Sequence, residues 1–276
     1  MNFKNTNKRN NRKANKMKKR NNILCINWKG GAGKTTSASV TASNLPSATL
    51  IEIDKINKSD SKILSKDYKS IQLEFLNESD ENFINFEDIL RDDGFKIIDV
   101  GAVKLEIFHK AMTASNLYPL LDLIIITSMD GKDDFAVAMS YLQTIKKEIT
   151  PEKLLFSFNR FNEYEYPRIE EQFTSFFNKK VEILNSFGID LNDEDNYYVL
   201  KDSRAVKQAR ERNITLKSLV KENIEEIEKK REEAQTRELK NSFTRYRSLV
   251  IQAQAFHDDY VIPMMQKIIK KLESQS

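Results

Sequence analysis

The sequence predicts a doubly wound α/β fold, a mostly parallel sheet with helices on both faces, followed by long C-terminal helices. Three observations point there. Short apolar runs alternate with stretches of helical periodicity from residue 23 to about residue 212. The runs are near-continuous in apolar residues, as strands covered on both faces require. The polar residues with chemical potential fall where those runs end, and right-handed crossovers gather such strand ends along one edge.

In chain order, residues 23–28 (ILCINW) read as the first strand, ending in a glycine-rich turn with a helix from Lys34 to about Asn44. Residues 49–53 and 71–76 read as the second and third strands. Residues 82–92 keep helical spacing through Phe83, Ile84, Phe86, Ile89 and Leu90, closed by Asp93-Gly94. Residues 95–100 (FKIIDV), 121–128 (LDLIIITS) and 153–158 (KLLFSF) are buried-type strands, with one more at 197–200; helices are expected over 104–116 and 133–147. From Leu216 the pattern becomes long amphipathic helix, ending in a separate helix at 260–272 with Pro263 in its first turn, where proline is tolerated. The expected organisation is a basic tail (1–22), an α/β domain (23–215) and a helical extension (216–276).

Of the 276 residues, 39% are hydrophobic and 31% charged, a balance suited to a soluble globular protein. No apolar run approaches the roughly 18–20 residues of a membrane span, and the basic N-terminus lacks the apolar core of a secretory signal, so a cytoplasmic location is expected. A single cysteine, Cys25, excludes an internal disulfide or a multi-cysteine metal site within one chain, and reads as a small core residue. The net charge of +4 is uneven: residues 1–22 hold nine Lys/Arg and no acid. Two readings of that tail stand, a solvated segment or a nonspecific nucleic-acid arm.

The glycine-rich turn is Lys29-Gly30-Gly31-Ala32-Gly33-Lys34-Thr35-Thr36. Bare backbone there lets N–H groups approach phosphate oxygens, and the following helix start adds its positive end. Lys34 would reach the β- and γ-phosphates and the Thr35 hydroxyl would ligate Mg²⁺, so ATP and Mg²⁺ are the expected cofactors of a P-loop NTPase. The general pattern G-x-x-x-x-G-K-[ST] is not met throughout, because Trp28 stands where its first glycine belongs.

The loop K-G-G-x-G-K-T-T resembles the deviant Walker A box of the ParA/MinD superfamily of partition and positioning ATPases, over roughly residues 23–212. The resemblance implies that Lys29 crosses a dimer interface to the partner's ATP, giving an ATP-dependent homodimer. It implies that Asp54, second acid of Glu52-Ile53-Asp54, orders Mg²⁺ or the attacking water; the family's first acid is replaced by Glu52. Asp99, ending a Walker B-like strand, would hold Mg²⁺, and Asn159 would read the adenine edge, with residues 199–202 packing on the base's other side. Val100-Gly101-Ala102 replaces the usual proline-containing switch. Glu-x-Asp paired with Asp-Val-Gly-Ala is similar to the StbB/TraL-like branch linked to plasmid stability and conjugation.

On this resemblance Lys29, Lys34 and Asp54 are the expected catalytic residues, and Thr35, Asp99 and Asp54 the metal site. Lys29 to Thr36 with Asn159 bind nucleotide. Hydrolysis would be slow and speeded by a partner protein, in a DNA-partition role with nonspecific DNA contacts by Arg204, Lys207, Arg210 and Arg212. The alternative is a MinD-like or conjugation-associated positioning ATPase, using Met264, Met265, Ile268, Ile269 and Leu272 at a membrane; the same stripe also reads as ordinary core packing. A shared-cluster iron protein is excluded by the lone cysteine.

Overall fold

A computed structural model describes residues 20–54, 66–178 and 181–275. Residues 1–19, most of the basic tail, lie outside them. Seven strands form one sheet: β1 (Arg20–Ile26), β2 (Thr49–Ile53), β3 (Lys69–Leu73), β4 (Gly94–Val100), β5 (Leu123–Ser128), β6 (Leu154–Phe161) and β7 (Tyr197–Lys201). Every pairing is parallel, in the order β3-β2-β4-β1-β5-β6-β7. The winding therefore reverses at β1. In an open parallel sheet that reversal opens a crevice beyond the strand's carboxyl end, where ligands bind.

Helices α1 (Lys34–Asn44), α2 (Glu81–Arg91), α3 (Leu105–Ala114) and α4 (Lys132–Ile145) connect the strands up to β6. Short helices α5 (Ile169–Gln172) and α6 (Glu182–Phe187) lie between β6 and β7, and α7 (Arg204–Glu211) follows β7. Alternation along β1 splits the core in two. Leu24 and Ile26 join the layer of α2, α3 and α4, with Phe83, Phe108 and Tyr141. Ile23 and Cys25 join the opposite layer with Ala38 and Val40 of α1. A strand buried on both sides has no polar face to show, which is why these segments read as continuous apolar runs.

β1 starts at Arg20, three residues before the apolar run. Asn22 is fully buried, yet its side-chain amide donates to the carbonyls of Leu90 and Leu120, each at 2.9 Å. Both donations of the buried amide nitrogen are made, so polar residues extend the strand into what composition alone assigns to the tail. The third strand is also displaced toward the N-terminus, to Lys69–Leu73 rather than 71–76.

The residues after 215 complete the second layer. Helices α8 (Leu216–Val220), α9 (Ile224–Glu233), α10 (Arg237–Phe256) and α11 (Ile262–Glu273) bury Leu219, Ile227, Val250, Phe256, Met264, Ile268 and Leu272 in the cluster that holds Ile23 and Cys25. The apolar stripe of α11 is therefore core, and its lysines are held by the chain: Lys267 donates to the carbonyls of Glu194 (2.6 Å) and Tyr197 (2.8 Å), and Lys271 to Asn196 at 2.8 Å. Among the described residues no helix is long and apolar enough to cross a membrane. The helix expected at 260–272 does not start afresh. The chain stays helical from α10 into α11 through a π turn, His257–Val261, in which the Ile262 N–H donates to the His257 carbonyl. Pro263 follows at once. The wide turn carries the chain past the point where proline interrupts the ordinary ladder.

Candidate nucleotide-binding site

The loop between β1 and α1 occupies the crevice end of the central strand. Gly31 (φ 79°) and Gly33 (φ 89°) are left-handed, a conformation that costs a side-chain-bearing residue about 1–2 kcal/mol. Trp28 has no such backbone requirement: it is not among the residues with positive φ. Its ring instead packs edge-on against Tyr141, with 5.7 Å between centroids. The missing glycine of the general pattern thus marks a position the loop anchors into the core. Asn27 ties the loop down further, donating to the Thr127 carbonyl of β5 (2.5 Å) and accepting from the Lys29 N–H (2.7 Å).

Lys34, the first residue of α1, is buried, and its ammonium donates to the Lys29 carbonyl at 2.9 Å. Burial lowers its pKa, opposed by the carboxylates of Asp99 and Asp54. Asp99, next to last in β4, is 7% exposed, and its Oδ1 has no hydrogen-bond partner among the described residues. Burial pushes its carboxyl up to about 6, against the pull of the neighbouring Thr35 hydroxyl and the Lys34 ammonium. A buried carboxylate oxygen without a partner, beside a threonine hydroxyl, is a pair of hard oxygen donors of the kind Mg²⁺ takes. No group of three or more His, Cys, Asp or Glu that could hold a metal exists among the described residues. Two protein donors suit an ion completed by phosphate oxygens and water rather than a closed protein cage.

Asp54 lies just beyond β2, exposed, with its carboxylate against Gly101: a methyl at Gly101 would stand 2.5–2.6 Å from both carboxylate oxygens. Gly101 itself is hydrogen-bonded to the end of β2, its N–H donating to the Ile53 carbonyl at 2.8 Å. Glu52 accepts from the Ser70 hydroxyl at 3.0 Å and so engages β3.

A cleft of about 300 Å³ opens beside the loop. Of the expected residues Gly31, Gly33, Lys34, Thr35, Thr36 and Asn159 line it, together with Leu200, Lys201 and Asp202 from the end of β7. Asn159 lines the cleft and also holds the loop. Its amide nitrogen donates to the Ala32 carbonyl (2.9 Å) and its oxygen accepts from the Ser157 hydroxyl (3.2 Å), so it braces the phosphate loop from β6. The closeness of Asn159 is what excludes any side chain at Gly33, where a methyl would meet its amide at 2.6 Å. Next to it Arg160 takes a left-handed φ of 59° at an irregularity in the β6–β7 register, which sets its side chain at the cleft.

The Lys29 side chain leaves the loop toward α4. Its ammonium is 2.5 Å from Asp134 Oδ2 in the first turn of α4, and that hydrogen bond raises its pKa. Of the basic residues of α7 and its end, Lys207 and Arg210 line the cleft and Arg204 is exposed, whereas the Arg212 guanidinium lies 5.1 Å from the Tyr246 ring centre. Sequence reading missed Asp134, Gly101, Arg160 and Phe256. The first has a trace in the sequence, an acidic pair at a helix start (Asp133, Asp134), and Gly101 stands in the Asp-Val-Gly-Ala stretch, which by itself gave it no contact with Asp54; Arg160 and Phe256 carry no motif.

No family model matches the chain, and no curated protein matches it. Solved structures do. A plasmid partition protein from Borrelia burgdorferi aligns at 17% identity and TM-score 0.43, over 70% of this chain and 96% of that one. The McdA–ATP complex from Cyanothece aligns at 12% and 0.46 (73% and 90%), and the MinD cell division protein of Aquifex aeolicus at 12% and 0.45 (71% and 88%). With likenesses this distant, what the cleft can hold follows from its own residues: a glycine loop, a buried lysine and a buried aspartate at the reversal point of a parallel sheet.

Proposed function

We propose that the chain is an ATPase of the ParA/MinD kind that binds ATP at the loop after β1, dimerises around it and acts in DNA partition. The observation that carries the reading is the Lys34 ammonium, buried at the head of α1 and held over the loop by the Lys29 carbonyl, with the carboxylates of Asp99 and Asp54 partly offsetting the cost of its burial. A lysine is desolvated at that cost where a multiply charged anion repays it.

In this reading the amides of Gly30, Gly31, Ala32 and Gly33, with Thr35 and Thr36, receive the phosphates, and Lys34 offsets charge on the β- and γ-oxygens. Thr35 and Asp99, together with Asp54, would hold Mg²⁺, which would neutralise phosphate charge. Asp54 orients the attacking water, and Gly101 fixes where its carboxylate can stand. Asn159 keeps the loop in its receiving shape. Lys29 leaves Asp134 to reach the partner's phosphates, so dimerisation and nucleotide state are linked. DNA is contacted without sequence preference by Arg204, Lys207 and Arg210, and a partner protein speeds turnover.

Calorimetry with Mg-ATP tests the first step: Lys34→Ala should lose affinity on the order of tenfold or more. Sizing with ATP, with ADP and without nucleotide tests the second, and an ATP-specific dimer should vanish in Lys29→Ala. A protein that binds no Mg-nucleotide, or whose dimer ignores both nucleotide and Lys29, removes the proposal. The positioning alternative has less support, since the stripe that would meet lipid is buried in the core.

A further inference from the structure

β6 changes character as it runs toward the phosphate loop. Leu155, Ser157 and Asn159 share the face toward α1, so that face passes from a core residue to a buried hydroxyl and then a buried amide. The opposite face, Leu154, Phe156 and Phe158, stays apolar throughout. Ser157 is fully buried, and so is Ser37 near the head of α1. A hydroxyl taken out of water costs free energy unless its hydrogen bonds are made, and both of these are engaged. The Ser157 hydroxyl donates to Asn159 Oδ1 at 3.2 Å, and the Ser37 and Ser157 oxygens lie 3.2 Å apart. Each hydroxyl has one proton. Ser157 commits its proton to the Asn159 oxygen, which only accepts, so Ser37 is the donor to Ser157. The Asn159 amide nitrogen in turn donates to the Ala32 carbonyl at 2.9 Å. Donation therefore runs one way, from Ser37 through Ser157 and Asn159 to Ala32.

The end of this relay is a single peptide group of the loop. The Ala32 carbonyl and the Gly33 N–H share a planar unit and point opposite ways. A carbonyl drawn toward Asn159 turns the Gly33 N–H away from it. Gly33, at φ 89°, tolerates either sign of φ, so the loop does not by itself forbid the flipped peptide, with an oxygen where the N–H stands. The restraint comes from outside the loop, through Asn159.

We propose that Ser157, supported by Ser37, is a positioning residue for phosphate binding: it orients the Asn159 amide, which holds the Ala32–Gly33 peptide with its N–H toward the phosphates. The inference rests on the reading of the loop as a phosphate site. It makes the affinity of that site depend on two buried hydroxyls that meet no ligand themselves. Both act through the loop backbone, so their contribution goes to the phosphates whatever base the nucleotide carries.

The test is calorimetry on the full chain with two ligands, Mg-ATP and magnesium tripolyphosphate, which offers the phosphates without a base. Ser157→Ala should weaken both about tenfold, the effect of leaving a buried amide oxygen unpaired. Ser37→Ala, a change that favours a helix, should weaken both to a smaller extent, and it keeps the test open if the strand variant folds poorly. In an Asn159→Ala background Ser157→Ala should cost nothing further. Wild-type affinity in both serine variants, a loss confined to ATP, or the same loss repeated without Asn159 would each overturn the inference while leaving the phosphate site standing. A wild type that binds neither ligand overturns both.

Discussion

The Lys29 ammonium and the Asp134 carboxylate, 105 residues apart, meet at 2.5 Å across the gap between the phosphate loop and the first turn of α4. The carboxylate is 1% exposed and its other oxygen has no hydrogen-bond partner among the described residues, whereas the lysine is 40% exposed. The buried member of such a pair depends on the exposed one, because a lone charge in the interior is costly. In the proposed reading Lys29 must abandon Asp134 to serve a partner's nucleotide, and the pair would then oppose dimerisation. Asp134→Asn should therefore strengthen ATP-dependent self-association severalfold in sedimentation velocity. Unchanged or weaker association in a variant of normal thermal stability would count against a restraining role.

Gly101 gives a sharper handle on Asp54. Its φ of −58° suits any residue, so alanine there is not strained by the backbone, and the atoms nearest the added methyl are those of the Asp54 carboxylate. Gly101→Ala should keep ATP binding within a few fold and lower turnover on the order of tenfold to a hundredfold, as displaced catalytic groups do. In an Asp54→Ala background the same change should cost nothing further. If it costs as much there, the coupling through Asp54 is wrong.

The two left-handed glycines of the loop separate conformational cost from contact. Gly31→Ala and Gly33→Ala each meet about 1–2 kcal/mol of backbone strain. Only at Gly33 does the methyl also strike Asn159, 2.6 Å away, and threaten its bond to the Ala32 carbonyl; at Gly31 nothing lies within 4 Å. Denaturant titration should find Gly33→Ala the less stable of the two by about 1–3 kcal/mol, the cost of a disturbed buried hydrogen bond. Equal losses would show that Asn159 yields freely.

His109 should make the fold sensitive to mild acid. Its Nδ1 lies 2.6 Å from the Tyr118 hydroxyl, and burial holds its pKa below the ordinary value near 6.5, with Glu148 pulling the other way. The unfolded chain then takes up the proton first as pH falls. The contribution to stability is intact above about pH 6.5 and is lost as pH drops through that value. The advantage of wild type over His109→Gln in thermal unfolding should shrink between about pH 8 and pH 5. A constant difference over that range would place the histidine's titration elsewhere.

Much of the fold could be read from residue order, and specific residues show why. Ile23, Leu24, Cys25 and Ile26 alternate between two buried layers, so each must be apolar and the strand announces itself. Asn22 did not announce itself, because its place in the strand depends on the carbonyls of Leu90 and Leu120, which come near only when the sheet forms. The π turn before Pro263 was hidden for a similar reason: the proline fits either a fresh helix start or a widened turn, and packing of α10 and α11 on the sheet selects the second.

Within the site the same division holds. Residue order alone is enough to locate the glycine loop, Lys34 at the helix start, and Asp54 and Asp99 at strand ends, because backbone freedom, helix polarity and strand termination are properties of a few neighbouring residues. It takes the folded chain to tie Lys29 to Asp134, to brace Ala32 with Asn159, to set Gly101 against Asp54 and to bring Phe256 to the edge of the cleft. Those contacts join residues between about fifty and more than two hundred positions apart, and no local pattern encodes a distance that only the packing of helices on the sheet creates.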